Sequence, residues 1–484
     1  MTGKPVRWMT ILPVFIMTTI AASELDIVNA RLIDGNGASP YLTSIEISHG
    51  VIVSIGGPSR EDAAQIDARG ANVMPGLIDS HVHLQSTPGA VFRKDDEETR
   101  RELRKHHLSA YVASGVTTIL DTAISSVVLR EVQQYLADGG VGPQVKALGP
   151  TFHTPGGYLD GDSLSDYWGP RWRASASIND VVALFDEYEG IADLVGVKVP
   201  ITYRVHPFAF DRWPSHSPEM REVIAAESRK RNMPVYVHAT EQRTFELALE
   251  MGTHAIVHLP FFNLQPPDDL VRKLKSRGVY VITTISTVDV VGTRHHPSHL
   301  SEPLIKLTVP PVELETARNE EAWDRFLTTM TQSIYPWMPD WFARLYGYFI
   351  YSDSMLQFGV ERMMMVARTF HEAGIPIVVG TDSGSWPHFL NLFHGPTTIR
   401  EMELLVEAGM EPVDVIASAT RIPAEMMGIE QEVGTVEVGK RANLLILAGD
   451  PLADISSLKS LLWVVKDGEA RRPEDWLYVP AISP

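Results

Sequence analysis

The sequence predicts an α/β protein in which a (β/α)8 TIM barrel carries a small β-sandwich domain formed from both chain ends. Two observations predict this fold. Eight short β-rich runs, each followed by a helical pattern, occupy the middle of the chain, and short strand-like segments separated by Gly, Asp and Pro turns occupy its ends. The length of 484 residues is also too great for one small core.

The first segment has the order of a secretory signal peptide, predicted over residues 1–23. Lys4 and Arg7 precede an apolar stretch from Trp8 to Ile20, and small residues follow it. Because an apolar run of about 13 residues is shorter than the roughly 20 that cross a bilayer, we expect no stable membrane insertion. We expect cleavage near Ser23 and export to the periplasm or the medium; an apolar arm that packs on the fold is the alternative.

The β-sandwich domain is predicted over residues 24–74 and 430–484. Before the barrel, "ELDIVNARLIDGNG" and "GVIVSIGG" are typical of short strands joined by turns, and after it "GTVEVGKRANLLILAGDPL" and "WVVKDGEARRP" repeat that pattern. The two chain ends are therefore expected to form one domain.

The barrel is predicted over residues 75–429, because eight parallel strands with crossover helices close a (β/α)8 barrel. The strand-bearing runs begin at Asn72, Gly115, Val145, Leu194, Pro234, His254, Val279 and Ile375. A long insertion at about 288–360, between strands seven and eight, contains the aromatic-rich "YPWMPDWFARLYGYF". An insertion of this length is typical of a lid or binding element.

Composition excludes several classes of site and partner. A formal net charge of -18, without a basic stripe, excludes nucleic acid as the expected partner and leaves a small-molecule substrate. The chain has no cysteine, so disulfides and thiolate-bound metals are excluded, and a metal must be held by His, carboxylate or Lys-derived oxygen. The oligomeric state is not indicated.

Polar side chains end several of the predicted barrel strands. In "GLIDSHVHL", His81 and His83 are two residues apart and point the same way from one strand, while His238, His258 and Asp382 end strands five, six and eight. A lone histidine of this kind is more often a hydrogen-bonded core residue. Several at the carboxyl edge, beside a carboxylate that is costly to bury unpaired, instead predict a divalent metal site.

Lys198 lies in "LVGVKVP", a strand expected to be buried on both faces, where an unpaired lysine is rarely found. One interpretation is a salt bridge to a neighbouring carboxylate. The other is a carbamate formed from the amine and carbon dioxide, which is an anionic oxygen ligand able to bridge two metal ions.

Several of these motifs resemble those of the amidohydrolase superfamily: "PGLIDSHVHL" its first strand, "GVTTILD" its second, "VYVHAT" and "IVHLP" its fifth and sixth, and "VGTDSG" its eighth. The resemblance extends over nearly the whole chain after the signal peptide and is closest to the imidazolonepropionase-like and Xaa-Pro dipeptidase-like branch. It implies that His81, His83 and Asp382 hold one metal, that His238 and His258 hold a second, and that carboxylated Lys198 bridges them. Two zinc ions are expected for this cysteine-free, histidine-rich ligand set.

The expected activity is hydrolysis of a C–N amide bond in a small substrate such as a dipeptide, an N-acyl amino acid or a cyclic amide. A metal-activated hydroxide would attack the carbonyl, and Asp382 would act as the general base. Three alternatives stay open: a lactonase or phosphotriesterase using the same site, a mononuclear imidazolonepropionase-like hydrolase, and a non-catalytic structural barrel.

Substrate contacts are expected from residues on the loops at the carboxyl edge. Arg204 could pair with a substrate carboxylate. His394, in "FHGPTTIRE", matches a loop motif of the resembled branch, and Tyr158 stands where that branch often has a histidine after two glycines. The full set of candidates is His153, Tyr158, Tyr203, Arg204, His295, His296, His388 and His394.

Overall fold

The computed structural model describes residues 24–158, 174–203, 213–260, 265–295, 297–335, 337–385 and 389–481. Its strands fall into two separate sheets. The strands of the sheet built from the chain ends are β1 (Glu24–Leu32), β2 (Tyr41–Ser48), β3 (Val51–Ile55), β4 (Ala64–Asp67), β5 (Asn72–Pro75), β14 (Leu444–Leu447), β15 (Leu461–Lys466) and β16 (Glu469–Arg471). The strands of the other sheet are β6 (Leu77–Val82), β7 (Val116–Asp121), β8 (Gln144–Thr151), β9 (Leu194–Pro200), β10 (Val235–His238), β11 (Ala255–Val257), β12 (Tyr280–Ile282) and β13 (Ile377–Val378).

The strands β6 to β13 form a parallel sheet in which each pairs with its neighbour along the chain. The sheet closes on itself, because the backbone after β13 bonds to β6: the amide of Ser80 donates to the carbonyl of Val379 at 3.0 Å, and the amide of Asp382 donates to the carbonyl of His81 at 2.7 Å. A bridge between Val82 and Ser383 continues this seam. The predicted eight-stranded barrel is therefore confirmed.

The predicted domain from both chain ends is confirmed as a mixed sheet in the order β16-β15-β14-β5-β1-β2-β3, with β4 paired to β1. Its two halves meet where Ile446 of β14 is opposite Val73 of β5. Alternating apolar residues such as Leu25 and Ile27 on β1 and Ile45 and Ile47 on β2 are fully buried in a core separate from that of the barrel.

Helices cover the outside of the barrel and build the insertion. They are α1 (Ala90–Arg93), α2 (Glu97–Ala113), α3 (Ser126–Ala137), α4 (Ile178–Glu187), α5 (Pro218–Lys230), α6 (Gln242–Glu250), α7 (Asp268–Ser276), α8 (Ser286–Gly292), α9 (Pro303–Thr308), α10 (Pro311–Arg318), α11 (Glu320–Ile334), α12 (Asp340–Ile350), α13 (Asp353–Glu372), α14 (Pro396–Glu407), α15 (Pro412–Ser418) and α16 (Arg421–Met427), with 3-10 turns at Thr293–His295, Pro297–Ser301, Ile455–Lys459 and Pro473–Trp476.

The long segment between β12 and β13 is helical and has a core of its own. Trp323, Phe326 and Leu327 of α11 pack there with Leu390 and Phe393 from the segment after β13. The insertion thus rests on residues that follow the last barrel strand, at the edge where the strands end.

Two predictions stay predictions. Residues 1–23, where the signal peptide is predicted, lie outside the described residues, and the domain boundaries at residues 74 and 430 are not tested. None of the described helices combines the length and the apolar character that crossing a bilayer requires.

Candidate metal centre

Three ligand atoms converge at the carboxyl edge of the barrel. The Nε2 atoms of His81 and His83 are 3.1 Å apart, and Oδ1 of Asp382 lies 3.1 Å from the first and 2.8 Å from the second. Tetrahedral zinc with bonds of about 2.0–2.1 Å separates neighbouring ligand atoms by about 3.3 Å, so the spacing suits one small cation. Among the described residues, this is the one set of three or more His, Asp or Glu whose ligand atoms all lie within 4.8 Å of one another.

A buried carboxylate, Asp79, holds the two strand ends that carry these ligands. Its Oδ2 accepts hydrogen bonds from the hydroxyls of Thr381 at 2.7 Å and Thr398 at 2.8 Å, and its Oδ1 accepts from the amides of Thr381 and His81. Because the side chain spans from β6 to the segment after β13, it fixes His81 relative to Asp382. Burial raises the pKa of Asp79 to about 7.

The backbone adopts left-handed conformations at two predicted ligands and at Thr284, which contacts one of them. The φ angles of His258, Thr284 and Asp382 are 75°, 59° and 61°, a region that non-glycine residues seldom occupy and that is costliest for a β-branched residue such as Thr284. These three residues follow barrel strands, where the chain turns away from the sheet. The strained backbone therefore lies at the strand ends, where these side chains point into the barrel.

The electrostatics of the trio favour lone pairs that are ready to bind a cation. Burial, reinforced by the charge of Lys198, lowers the pKa of His81 to about 3, so its ring is neutral at pH 7. Burial opposes ionisation of Asp382, but the adjacent His81 and His83 rings hold the pKa of that carboxyl well below its ordinary value. A carboxylate beside a neutral imidazole is the protonation state that a divalent metal requires.

His238 and His258 lie beside this trio. Their ring centroids are 4.4 Å apart, and the centroid of His258 is 5.0 Å from that of His81. Burial holds the pKa of both rings well below the ordinary value. Nδ1 of His258 is 2.7 Å from the hydroxyl oxygen of Thr284, which leaves Nε2 as the nitrogen available for a metal.

Lys198 is central to β9, opposite Thr151 of β8 and Tyr236 of β10. Its side chain is buried, and Nζ has no hydrogen-bond partner among the described residues. The predicted salt-bridge alternative therefore has no direct partner there. Burial lowers the pKa of the amine to about 7, so a large fraction is unprotonated at neutral pH.

A cavity of about 100 Å³ lies over these residues. Its floor includes His238, His258 and Asp382, and its walls include Tyr158, Met330 and Phe389. The ring of Tyr158 stacks on that of His238 with centroids 4.6 Å apart, so the structure brings this predicted substrate contact to a predicted metal ligand.

His394 does not line this cavity. It is buried, with Nδ1 2.9 Å from the hydroxyl of Tyr111, and its ring stacks at 4.3 Å on His107. Nε2 of His107 in turn contacts the buried carboxylate of Glu313, on α10 of the insertion, at 2.8 Å. A Cβ on Gly384 would lie 2.5 Å from Cε1 of His394, so the ring packs directly under the turn that follows Asp382.

The other predicted substrate contacts do not line the cavity or lie outside the described residues. His153 is buried away from the cavity, and its carbonyl accepts hydrogen bonds from the amide and hydroxyl of Ser175. Tyr203 packs against the barrel core. Arg204, His296 and His388 lie outside the described residues, as does the side chain of His295.

Sequence reasoning missed the residues that support the ligands. Asp79 could have been found from its position in the apolar run "GLIDSH", by the argument that singled out Asp382. Asp121 ends "GVTTILD" in the same way, and it accepts hydrogen bonds from the amides of Leu84 and Ala123 just beyond the strand ends. No comparable sequence pattern marks Thr284.

Solved structures share this architecture. A Xaa-Pro dipeptidase with bound methionine is 25% identical, with a TM-score of 0.68 and coverage of 94% of this chain and 100% of that one. Molinate hydrolase is 20% identical, with a TM-score of 0.68 over 96% and 98% of the two chains, and shares the fold.

Curated relatives match over shorter stretches. The dihydroorotase of Streptococcus pneumoniae serotype 4 is 28% identical over 142 residues, which are 29% of this chain and 32% of that protein. The imidazolonepropionase of Thermoplasma volcanium is 28% identical over 99 residues, which are 20% and 23%. The chain therefore spans about a third or less of these relatives' length. The model of the amidohydrolase family, in contrast, matches residues 72–470, and with the ligand-bearing strand ends in place the chain belongs to that family.

Proposed function

We propose that the protein is a metal-dependent hydrolase that cleaves the C–N amide bond of a small substrate such as a dipeptide, an N-acyl amino acid or a cyclic amide. The observation that supports this most directly is the convergence of the ligand atoms of His81, His83 and Asp382 within 3.1 Å of one another, beside a cavity that Asp382 lines. Two imidazole nitrogens and a carboxylate oxygen at this spacing are the ligand types that a divalent cation such as zinc takes.

The donor set fits two divalent ions, with zinc expected. His81, His83 and Asp382 would hold one, and His238 and His258 the other. Lys198 would bridge them after its neutral amine adds to carbon dioxide and loses one proton, which gives a carbamate. Its buried Nζ without a hydrogen-bond partner and its pKa of about 7 support this assignment.

When bound, the metal supplies a nucleophile from water at neutral pH and polarises the scissile carbonyl. The side chains of this protein would do the rest. Asp382 would accept the proton of the attacking water and deliver it to the leaving nitrogen, because its carboxylate is ionised and faces the cavity. Tyr158, Met330 and Phe389 would enclose the substrate and exclude bulk water.

The test is a substrate panel on zinc-loaded protein, containing dipeptides, N-acyl amino acids, cyclic amides, lactones and a phosphotriester. We expect the amides to give the highest kcat/KM, and His258→Ala to abolish the activity. The matched control is His254→Ala, four residues earlier, whose ring contacts the carbonyl of Met426 instead of the site. A preference for lactones or the phosphotriester would reassign the bond, and no hydrolysis by metal-loaded protein would contradict the proposal.

Metal content provides a second test. Two metal equivalents per chain, and a lower melting temperature after chelation, are expected because ligands from several strands are tied together only by bound metal. One equivalent, with Lys198→Ala fully active, would support the mononuclear alternative instead.

A further inference from the structure

The outer face of α12, together with Trp337 just before the helix, carries a row of exposed large apolar side chains. Trp337, Trp341, Leu345, Tyr348 and Phe349 are between 42% and 71% exposed. Trp341, Leu345 and Phe349 are spaced four residues apart, so they lie along one side of the helix. We call these five residues the α12 stripe.

The area of the stripe is large for a monomer. Taking about 200 Å² for each whole side chain, the exposed parts sum to roughly 600 Å². Isolated monomers seldom present an apolar patch larger than about 300–600 Å², whereas each partner in a standard stable interface buries about 800 Å². The stripe therefore supplies most of the area of one half of such an interface.

The stripe is held rigidly by α11. A Cβ on Gly347 would lie 2.8 Å from the carbonyl oxygen of Leu327, so the two helices approach closely at this glycine. The guanidinium of Arg344 pairs with Asp324 at 2.5 Å, and the amide of Gln332 donates to Asp340 at 2.9 Å. A preformed surface loses little conformational entropy on binding.

The charges beside the stripe and on the whole chain disfavour a charged partner. Arg344 is already paired with Asp324, and the chain as a whole has a net charge of -18, which repels an anionic membrane or an acidic protein. The stripe itself is uncharged and aromatic, as the cores of homodimer interfaces are. An identical stripe on a second copy of this chain satisfies these conditions.

We propose that the α12 stripe is the contact surface of a symmetric dimer. Two α12 helices packed antiparallel about an axis at Leu345 bring this residue against its own copy, and they place Trp341 of each chain opposite Phe349 of the other. A two-fold interface requires only that the patch be complementary to itself, which a row of large apolar side chains with helical spacing provides.

The natural absence of cysteine allows a direct test, because Leu345→Cys introduces the sole thiol of the chain. Near a two-fold axis, two copies of residue 345 lie within the roughly 7 Å between Cα atoms that a disulfide spans. We expect Leu345→Cys to form a covalent dimer under mild oxidation much faster than Val438→Cys, a control in a turn before β14 with the same 61% exposure. Equal rates for the two variants would overturn the proposal.

Mass in solution provides the second measurement, by light scattering on a sizing column. We expect wild type and Val438→Glu to share one mass and Trp341→Glu to have half of it, with circular dichroism unchanged. Monomeric wild-type protein would overturn the proposal, whether or not it bound phosphatidylcholine vesicles, and vesicle binding would reassign the stripe to a membrane. A natively folded Trp341→Glu variant that kept the wild-type mass would also overturn it.

Discussion

Removing one hydroxyl behind the second metal position should weaken metal binding there. The hydroxyl oxygen of Thr284 is 2.7 Å from Nδ1 of His258, which fixes the ring and its tautomer. Valine has nearly the same shape and shares the β-branch, so Thr284→Val keeps the backbone strain and loses only the hydrogen bond. Losses of this kind cost about 10–100-fold in metal affinity, or about 1.4–2.7 kcal/mol.

The assay is zinc content after dialysis against a graded series of chelator concentrations, together with kcat and KM. Thr253→Val is the matched control, because its buried hydroxyl also hydrogen-bonds, to the carbonyls of Val235 and Ala255, but at the opposite end of β11. We expect the control to lose stability and retain its zinc. The reasoning is refuted if Thr284→Val retains zinc with wild-type affinity, or if both variants lose it equally.

Three further predictions follow from buried groups. Lys198→Ala should empty the second metal position and lower activity, with partial rescue by small carboxylates that can bridge two metals; rescue should be absent for His258→Ala. Asp382→Asn should fold and lose about 10²–10⁴-fold in kcat, and near-wild-type kcat would exclude it as the base. Burial raises the pKa of Glu313 to about 7 from 4.5, so between these pH values the folded protein retains a proton that the unfolded chain releases, and stability falls as pH rises. The free energy of unfolding of Glu313→Gln should therefore rise relative to that of wild type through this window, by on the order of 3 kcal/mol at most. Urea unfolding of both proteins at pH 5 and pH 8 checks this, and the same difference in free energy at the two pH values would contradict it.

The barrel and the meeting of the three predicted ligands could be predicted because both depend on local pattern. Each strand is a short apolar run bounded by turns, and parallel strands place their carboxyl ends together whatever lies between them. His81, His83 and Asp382 therefore meet although 301 residues separate the first from the last.

The support behind the ligands could not be predicted, because it depends on contacts between elements whose relative position no local pattern encodes. Glu313 reaches His107 across 206 residues, from the insertion to α2, and His394 is buried on Tyr111 rather than placed at the cavity. The motif "FHGPTTIRE" predicted a substrate contact at His394, but the contacts of that ring depend on the residues packed around it. Left-handed backbone at Thr284 is equally invisible in "VITTIST".

The cavity has a mixed origin that matters for protein engineering. Its floor belongs to the barrel strands, whereas Met330 comes from the insertion and Phe389 from the segment after β13. Under the proposed function, the residues that select the substrate and those that perform the chemistry are thus encoded in different stretches of the gene. A library that varies Met330 and Phe389 would change which molecules are accepted without altering any of the predicted metal ligands. The same separation would let natural descendants of this enzyme change their substrate while keeping the reaction.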